Sequence, residues 1–196
     1  LLEQLGPAVA GRHSLLLYGT AGSGKTSIAR ALANLLAVGE VYVPYAVDAQ
    51  GEIVLVYDRA LHGPPMAGIP ADKEQTGVRQ DGRWVRIRRP VVVLGAELHL
   101  EALDPSLDEV SRCYSAPPQV RANNGVVVLD DLGRQSSPPV SFLARLTHLL
   151  ETRSDRLAFR TGQRVEMPFE GILIATTHLN LRDLGDAAML RRIRHK

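Results

Sequence analysis

Residues 19–26 of the chain are Gly-Thr-Ala-Gly-Ser-Gly-Lys-Thr and match the pattern G-x-x-x-x-G-K-[ST] at every fixed position. The apolar run Ser14 to Tyr18 before them predicts a buried strand, and Ile28 to Ala37 predicts a helix with one apolar face. Between a strand and a helix, such a loop turns backbone N–H groups and the positive helix end toward a polyphosphate. A chance glycine-rich turn would lack this context, so the octapeptide indicates a phosphate-binding loop (P-loop).

The loop suggests roles for individual side chains. Lys25 is expected to reach the β- and γ-phosphates of a nucleoside triphosphate, and the hydroxyl of Thr26 is expected to bind Mg²⁺. The residues predicted to surround the nucleotide are Gly19, Thr20, Ala21, Gly22, Ser23, Gly24, Lys25, Thr26 and Ser27.

A pair of acids follows a second apolar strand. Val126 to Leu129 predicts a buried strand, and Asp130 and Asp131 come directly after it. Asp130 is expected to hold Mg²⁺ through its water shell, and Asp131 to orient and deprotonate an attacking water molecule. Two adjacent acids can also form a turn or cap a helix, but the P-loop upstream favours the catalytic interpretation.

Strands alternate with helices along the rest of the chain. Val91 to Leu94 and Ile172 to Ala175 predict further buried strands, and an apolar stripe over Phe142 to Leu150 predicts a helix. This alternation predicts a single α/β domain over residues 1–196, with three layers and a central parallel sheet covered on both faces. Short β-type runs over residues 41–89 predict a β-rich insertion between the P-loop helix and the strand that ends in the acidic pair.

Composition narrows the setting in which the chain works. With 23 Lys+Arg against 21 Asp+Glu the formal net charge is +2. This charge is too small to attract the whole chain to nucleic acid or to an acidic membrane. The single cysteine, Cys113, excludes an intrachain disulfide and a cysteine-based zinc site. One cysteine fits a reducing compartment, so we expect a cytoplasmic protein. No apolar run of the sequence approaches the ~18 residues of a membrane span.

Four motifs in this order resemble those of the AAA+ ATPases. Besides the P-loop (Walker A) and the acidic pair (Walker B), Ile172 to His178 is similar to the sensor 1 strand of that superfamily, and Gly185 to Arg194 to the segment that carries its arginine fingers. Leu157 to Met167 resembles its pre-sensor 1 hairpin. Segments 95–104 and 130–135 resemble uncharacterised bacterial members of the family.

The resemblance implies an ATP-hydrolysing domain that uses Mg²⁺ and works as a homo-oligomer, a hexameric ring in this family, on a protein or nucleic-acid client. It also implies a sheet order of 5-1-4-3-2. His178, beside Thr177, takes the sensor 1 position, and Arg191 and Arg194 take the arginine-finger positions, from which they act on a neighbouring subunit's nucleotide. AAA+ proteins usually continue into a helical lid, which we expect to be absent or truncated because the chain stops at Lys196.

Physical arguments leave alternatives open for several of these residues. A guanidinium near the γ-phosphate stabilises the charge that develops during phosphoryl transfer. Arg191 and Arg194, in a basic end of the chain, could instead form a solvated tail or a lid hinge. His178 could sense the nucleotide or only satisfy a local hydrogen bond. Asp131 is one methylene shorter than the Glu of many related ATPases, so hydrolysis could be slow or differently arranged.

One basic segment has no place in these motifs. It surrounds the only tryptophan, Trp84, with Arg79, Arg83, Arg86, Arg88 and Arg89. Alternating arginines and an aromatic ring can grip a nucleic-acid backbone or thread a polypeptide through a ring pore. They are also typical of the solvated face of an amphipathic strand, which is the interpretation we favour.

Two other functions are consistent with the sequence. One is a nucleotide-switched DNA- or protein-binding module of helicase-loader type with slow hydrolysis, since residues 130–133 are also similar to helicase-loader ATPases. The other is a small-molecule P-loop kinase, in which the arginine-rich end acts in cis as a lid. The hairpin before the sensor strand and the spacing of Arg191 and Arg194 disfavour the kinase.

Overall fold

The computed structural model describes residues 11, 13–66, 81–185, 191 and 193. The strands are β1 (Leu15–Tyr18), β2 (Glu40–Pro44), β3 (Ala46–Ala49), β4 (Glu52–Leu55), β5 (Trp84–Arg88), β6 (Val91–Leu94), β7 (Ser106–Asp108), β8 (Cys113–Ser115), β9 (Val126–Leu129), β10 (Ser154–Ala158), β11 (Arg164–Pro168) and β12 (Ile172–Thr177). The helices are α1 (Lys25–Leu36), α2 (Arg59–His62), α3 (Pro118–Arg121), α4 (Pro139–Thr152) and α5 (Leu181–Leu184), with a 3-10 helix at Leu100–Leu103.

The central sheet has the order β1-β12-β9-β6, and every neighbouring pair is parallel. Numbered along the core, this order is 1-4-3-2, which agrees with four of the five positions that the resemblance implies. The described residues contain no strand on the outer side of β1. The register pairs Tyr18 with Thr177 and Leu129 with Ala175, so the strands end at one edge of the sheet. The P-loop and the acidic pair therefore lie on either side of the end of β12.

Both faces of this sheet are covered by helices. The strand residues that share a core cluster with α1 are Leu15, Val126, Val128, Ile172 and Ile174. Their neighbours along the strands share a second cluster with α4 and are Leu16, Val127, Leu129, Leu173 and Ala175. These strands are apolar on both sides because both sides are buried, and the chain has the predicted three-layer α/β fold. None of the described helices is long and apolar enough to cross a membrane.

The β-rich insertion forms two small sheets beside this core. β2 and β5 pair as an antiparallel ribbon, and a second sheet has the order β3-β4-β8-β7. Because β7 and β8 follow β6 in the chain, the second sheet extends beyond the 41–89 segment that the sequence predicts. Residues 67–80 of that segment lie outside the described residues.

An antiparallel hairpin precedes β12, as the sequence predicts, with Ser154–Ala158 opposite Arg164–Pro168. Asp155 of β10 connects the hairpin to two helices of the domain. The Asp155 side chain is 1% exposed and accepts hydrogen bonds from Arg145 of α4 at 2.5 Å and from Gln119 of α3 at 2.8 Å. The hairpin is therefore anchored to the helix that follows the acidic turn.

Candidate functional site

The P-loop lies at the carboxyl end of β1 and leads directly into α1. Gly22 and Gly24 have φ angles of 78° and 82°, a region that favours glycine because it has no Cβ. Gly24 is also the N-cap of α1; it provides no side-chain cap, and the first turn of the helix contains no acid. The first N–H groups of α1 and the positive end of its dipole are therefore suited to an anionic ligand.

The ammonium of Lys25 is bound within the loop. It donates hydrogen bonds to the carbonyl oxygens of Gly19 at 2.8 Å and Thr20 at 2.6 Å, and to Ser23 Oγ at 3.2 Å. These acceptors are neutral, and a charged phosphate oxygen is a stronger partner for an ammonium. Lys25 is thus placed to exchange loop oxygens for phosphate oxygens.

Asp130 joins three elements at the edge of the sheet. Its Oδ1 accepts hydrogen bonds from the hydroxyl of Thr26 in α1 at 2.9 Å and from the hydroxyl of Thr176 in β12 at 2.7 Å. A carboxylate and a threonine hydroxyl are hard oxygen donors of the kind that Mg²⁺ prefers. Within the described ranges no three His, Cys, Asp or Glu side chains form a metal cluster. The donor set fits Mg²⁺, which usually combines one or two protein oxygens with water and substrate phosphates.

Asp131 is held in an unusual backbone conformation with its carboxylate between two basic side chains. Its φ is 54°, and its N–H donates to Thr176 Oγ1 at 2.8 Å. Oδ1 lies 2.9 Å from His178 Nδ1, and Oδ2 lies 2.7 Å from Arg134 Nε. A positive φ at a residue other than glycine, at the edge of a cleft, is typical of functional positions.

The turn after Asp131 is fixed by side chains that bind backbone. Gln135, 8% exposed, accepts from the N–H of Gly133 at 2.9 Å and donates to the carbonyls of Asp130 at 3.2 Å and Gly95 at 3.1 Å. The hydroxyl of Thr177 donates to the carbonyl of Leu132 at 2.6 Å. These four hydrogen bonds satisfy polar groups that would otherwise be costly to bury, so the turn presents its acids in one arrangement.

A cavity of about 300 Å³ opens between the loop and this turn. It is lined by Ala21, Gly22, Ser23, Gly24, Lys25, Thr26, Asp131, Arg134, Thr176 and His178. All of these except Arg134 and Thr176 are residues that the sequence predicts for the site. A larger cavity of about 700 Å³ lies at the amino ends of the strands, near Ser14 and Arg89, and includes none of the predicted residues.

Neither predicted arginine finger is among the described residues that line this cavity. Arg191 is exposed and is not among the residues that line the cavity, and Arg194 lies outside the described residues. Ile193 between them is 2% exposed and belongs to the same core cluster as Leu184. An arginine that acts on a neighbouring subunit need not reach its own nucleotide, so both assignments stay predictions.

Sequence reasoning missed Arg134, Thr176 and Gln135. Arg134 and Gln135 lie in the 130–135 segment that carries the family resemblance, and Thr176 stands next to the predicted sensor position. The available signal was that Arg134 and Gln135 lie in the turn after β9, and Thr176 near the end of β12, at the same edge of the sheet. Thr176 reaches Asp130 and Asp131 only through the register of β12 against β9, which the linear sequence does not give, whereas Arg134 contacts Asp131 three residues before it.

The basic segment around Trp84 lies on the β2–β5 ribbon, away from the cavity. Val85 and Ile87 are buried, whereas Trp84 is 45% exposed, as alternation along an amphipathic strand requires. Arg83 pairs with Asp81 at 2.7 Å, and Arg86 with Glu40 at 3.3 Å. These pairs favour the solvated-face interpretation. Arg79 lies outside the described residues.

Comparison with known proteins places the chain in a family. The sequence profile of the AAA ATPase domain matches residues 1–159, and the chain therefore belongs to the AAA ATPase family. A curated relative from Corynebacterium efficiens, named "AAA ATPase forming ring-shaped complexes", is 27% identical over 218 aligned residues, which cover 91% of this chain and 40% of that protein. The chain thus spans about two fifths of the length of this relative.

Two solved structures share the fold. A chain from the complex between subunits BchI and BchD of magnesium chelatase superposes with a TM-score of 0.55 at 20% identity, over 98% of this chain and 54% of that one. NtrX from Brucella abortus superposes with a TM-score of 0.53 at 14% identity, over 98% of this chain and 34% of its own. At these identities the similarity concerns the fold alone.

Proposed function

We propose that the chain binds ATP with Mg²⁺ and hydrolyses it to ADP and phosphate within a homo-oligomeric ring. One observation carries the proposal: the P-loop, Thr26 with Asp130, and Asp131 with His178 meet around one cavity at the edge of the sheet. Membership of the AAA ATPase family supports ATP as the nucleotide. Loop N–H groups and Lys25 would hold the phosphates.

Thr26 and Asp130 are the residues that would hold Mg²⁺. When bound, the ion neutralises charge on the β- and γ-phosphates. In this chain Thr176 steadies Asp130 through a 2.7 Å hydrogen bond, so that the carboxylate keeps its orientation toward Thr26.

Asp131 would orient the attacking water and accept its proton, and His178 would position Asp131. A carboxylate within hydrogen-bond reach of water can serve as the general base of such a reaction. The 2.9 Å contact between His178 Nδ1 and Asp131 Oδ1 supports this division of roles. His178 would also respond to the γ-phosphate, because it lines the same cavity.

The ring is supported by the relative whose name describes ring-shaped complexes. Arg191 and Arg194 would act as arginine fingers on the neighbour's nucleotide, and a hexamer is the assembly that the family resemblance implies. Hydrolysis would move the β10–β11 hairpin and the β insertion against a protein or nucleic-acid client. The anchor of the hairpin, Asp155 with Arg145 of α4, would transmit the change from the acidic turn.

A nucleotide-switched binding module with slow hydrolysis is the second candidate. The observation that favours it is that both Asp131 oxygens are engaged, one by His178 and one by Arg134. A base held in this way would need to be released before it could accept a proton. Such a protein would bind ATP and a macromolecule but turn over slowly.

The test is specific ATPase activity against protein concentration, on the full-length natural protein, with Arg191→Ala, Arg194→Ala and Lys25→Ala alongside. Shared sites predict activity per protomer that rises with concentration and is lost in an arginine variant that still binds ATP. Activity that is flat with concentration and indifferent to both arginines would contradict the ring. Slow turnover with tight ATP binding would favour the switched module.

A further inference from the structure

Arg134 lines the candidate nucleotide cavity, although no motif assigns it a role. We infer that Arg134 is a positioning residue for Asp131. When ATP binds, the Arg134 side chain leaves the Asp131 carboxylate and binds the γ-phosphate instead. The inference rests on the proposed function, because it takes the cavity as the nucleotide site. It adds that one arginine of the same chain distinguishes ATP from ADP and controls when Asp131 is released.

The geometry places the Arg134 guanidinium beside the Asp131 carboxylate and at the cavity. Arg134 Nε lies 2.7 Å from Asp131 Oδ2, and the Arg134 side chain is 60% exposed at the cavity. The Arg134 N–H donates to the carbonyl of Asp131 at 3.1 Å, and Gln135 fixes the turn on both sides. The backbone is therefore held while the long side chain can swing.

Phosphate competes well for this guanidinium. Arginine binds carboxylates and phosphates through the same planar fork of N–H donors, and its strongest hydrogen bonds are to charged oxygens. Lys25, which is expected to bind the β- and γ-phosphates, lines the same cavity as Asp131 and Arg134. A terminal phosphate there would draw Arg134 from Asp131, whereas ADP lacks the group that does so.

The opposing interpretation is an exposed ion pair with no further role. Such pairs contribute little to stability, and the i,i+3 spacing of Asp131 and Arg134 would suffice to form one. The two interpretations differ in what happens when Asp131 loses its charge. If Arg134 serves the phosphate, removal of the competing carboxylate makes Arg134 more important for ATP. If Arg134 only neutralises Asp131, it becomes unimportant.

The experiment measures the affinity of the full-length protein for Mg²⁺-ADP and for a non-hydrolysable Mg²⁺-ATP analogue by calorimetry. Arg134→Gln is expected to weaken the analogue about tenfold and to leave ADP within about twofold, with Arg134→Lys in between. Arg83→Gln, which breaks an exposed pair with Asp81 on the ribbon, is the matched control and should change neither affinity. Thermal melting confirms that each variant is folded.

The same measurement in an Asp131→Asn background decides between the two interpretations. The loss of analogue affinity caused by Arg134→Gln should be larger there than in the wild type. A loss that vanishes in this background, or one equal for ADP and the analogue, would overturn the inference. If the wild type binds neither nucleotide, the proposed function fails as well; if it binds both and Arg134 is indifferent, only this inference fails.

Discussion

The hydroxyl of Thr26 donates a 2.9 Å hydrogen bond to the carboxylate of Asp130, which lies 104 residues further along the chain. Thr26 is in the first turn of α1, and Asp130 follows β9. They meet because β12 lies between β1 and β9, and parallel strands bring their carboxyl ends to one edge.

Replacement of Thr26 tests the metal assignment. Thr26→Val keeps the shape of the side chain but removes the hydroxyl that Asp130 accepts, whereas Thr26→Ser keeps the hydroxyl. We expect Thr26→Val to reduce the Mg²⁺-dependent part of ATP affinity at least about tenfold, and Thr26→Ser to retain most of it. Affinity for an ATP analogue, measured once with Mg²⁺ and once with a chelator, separates the Mg²⁺-dependent part of the affinity from the rest. Equal losses in both variants would remove Thr26 from the metal site.

Replacement of Asp131 tests the assignment of the base. Asp131→Asn retains the hydrogen-bonding shape but cannot accept a proton, so we expect hydrolysis to fall by about 10²–10⁴-fold while ATP still binds. Single-turnover hydrolysis with a parallel binding measurement separates the two effects. Glu101→Gln, at an exposed acid of the 3-10 helix, is the control and should hydrolyse ATP at the wild-type rate. Retained turnover in Asp131→Asn would exclude Asp131 as the base.

Much of the core could be predicted because its signals are local. The octapeptide at 19–26 fixes a loop between a strand and a helix, and runs such as Val126 to Leu129 are apolar at every position because both faces of the sheet are covered. The hairpin was also predictable, since its two strands are close in sequence and Gly162 marks the turn. The order of the strands came from the resemblance and not from these patterns.

The remaining features depend on contacts between distant parts of the chain. β4 pairs with β8 across some sixty positions, so the second sheet could not be assigned to one continuous insertion. Thr176 gains its partners Asp130 and Asp131 only when β12 lies in register beside β9. Aspartate tolerates the positive φ of Asp131 better than most residues, but the Thr176 hydroxyl that accepts its N–H belongs to a distant strand.

The buried pair of Asp155 and Arg145 is expected to contribute strongly to stability. Asp155 is 1% exposed, and Asp155→Ala would leave Arg145, which is 21% exposed, with one fewer carboxylate. We expect a loss of about 3 kcal/mol in the free energy of unfolding, measured in urea. Glu109→Ala breaks the pair of Glu109 with Arg160, both 64% exposed, and should cost less than about 1 kcal/mol. Equal losses would mean that Asp155 is not an anchor.

His62 is held as a neutral ring where the insertion meets α3. Its Nδ1 accepts the N–H of Asp58 at 3.0 Å, and its Nε2 lies 2.8 Å from the carbonyl of Arg121, to which it donates. A neutral imidazole satisfies both partners, whereas a protonated ring would set one N–H against another. Burial lowers the pKa of His62 below its ordinary value of 6.5. The Arg121 carbonyl and the Asp58 carboxylate raise this pKa, but burial has the larger effect.

Stability should therefore depend on pH through His62. Below pH 6.5 the unfolded chain binds a proton that the folded chain resists, so the free energy of unfolding falls as the pH drops from 6.5 toward the lowered pKa. Well above pH 6.5 the ring is neutral in both states and contributes no dependence. His62→Gln can keep both hydrogen bonds but cannot titrate. When the pH is lowered from about 7.5 to about 5.5, the free energy of unfolding measured in urea should fall less in His62→Gln than in the wild type. The control His99→Gln, at an exposed histidine, should match the wild type. Identical losses in all three proteins would show that His62 does not set this dependence.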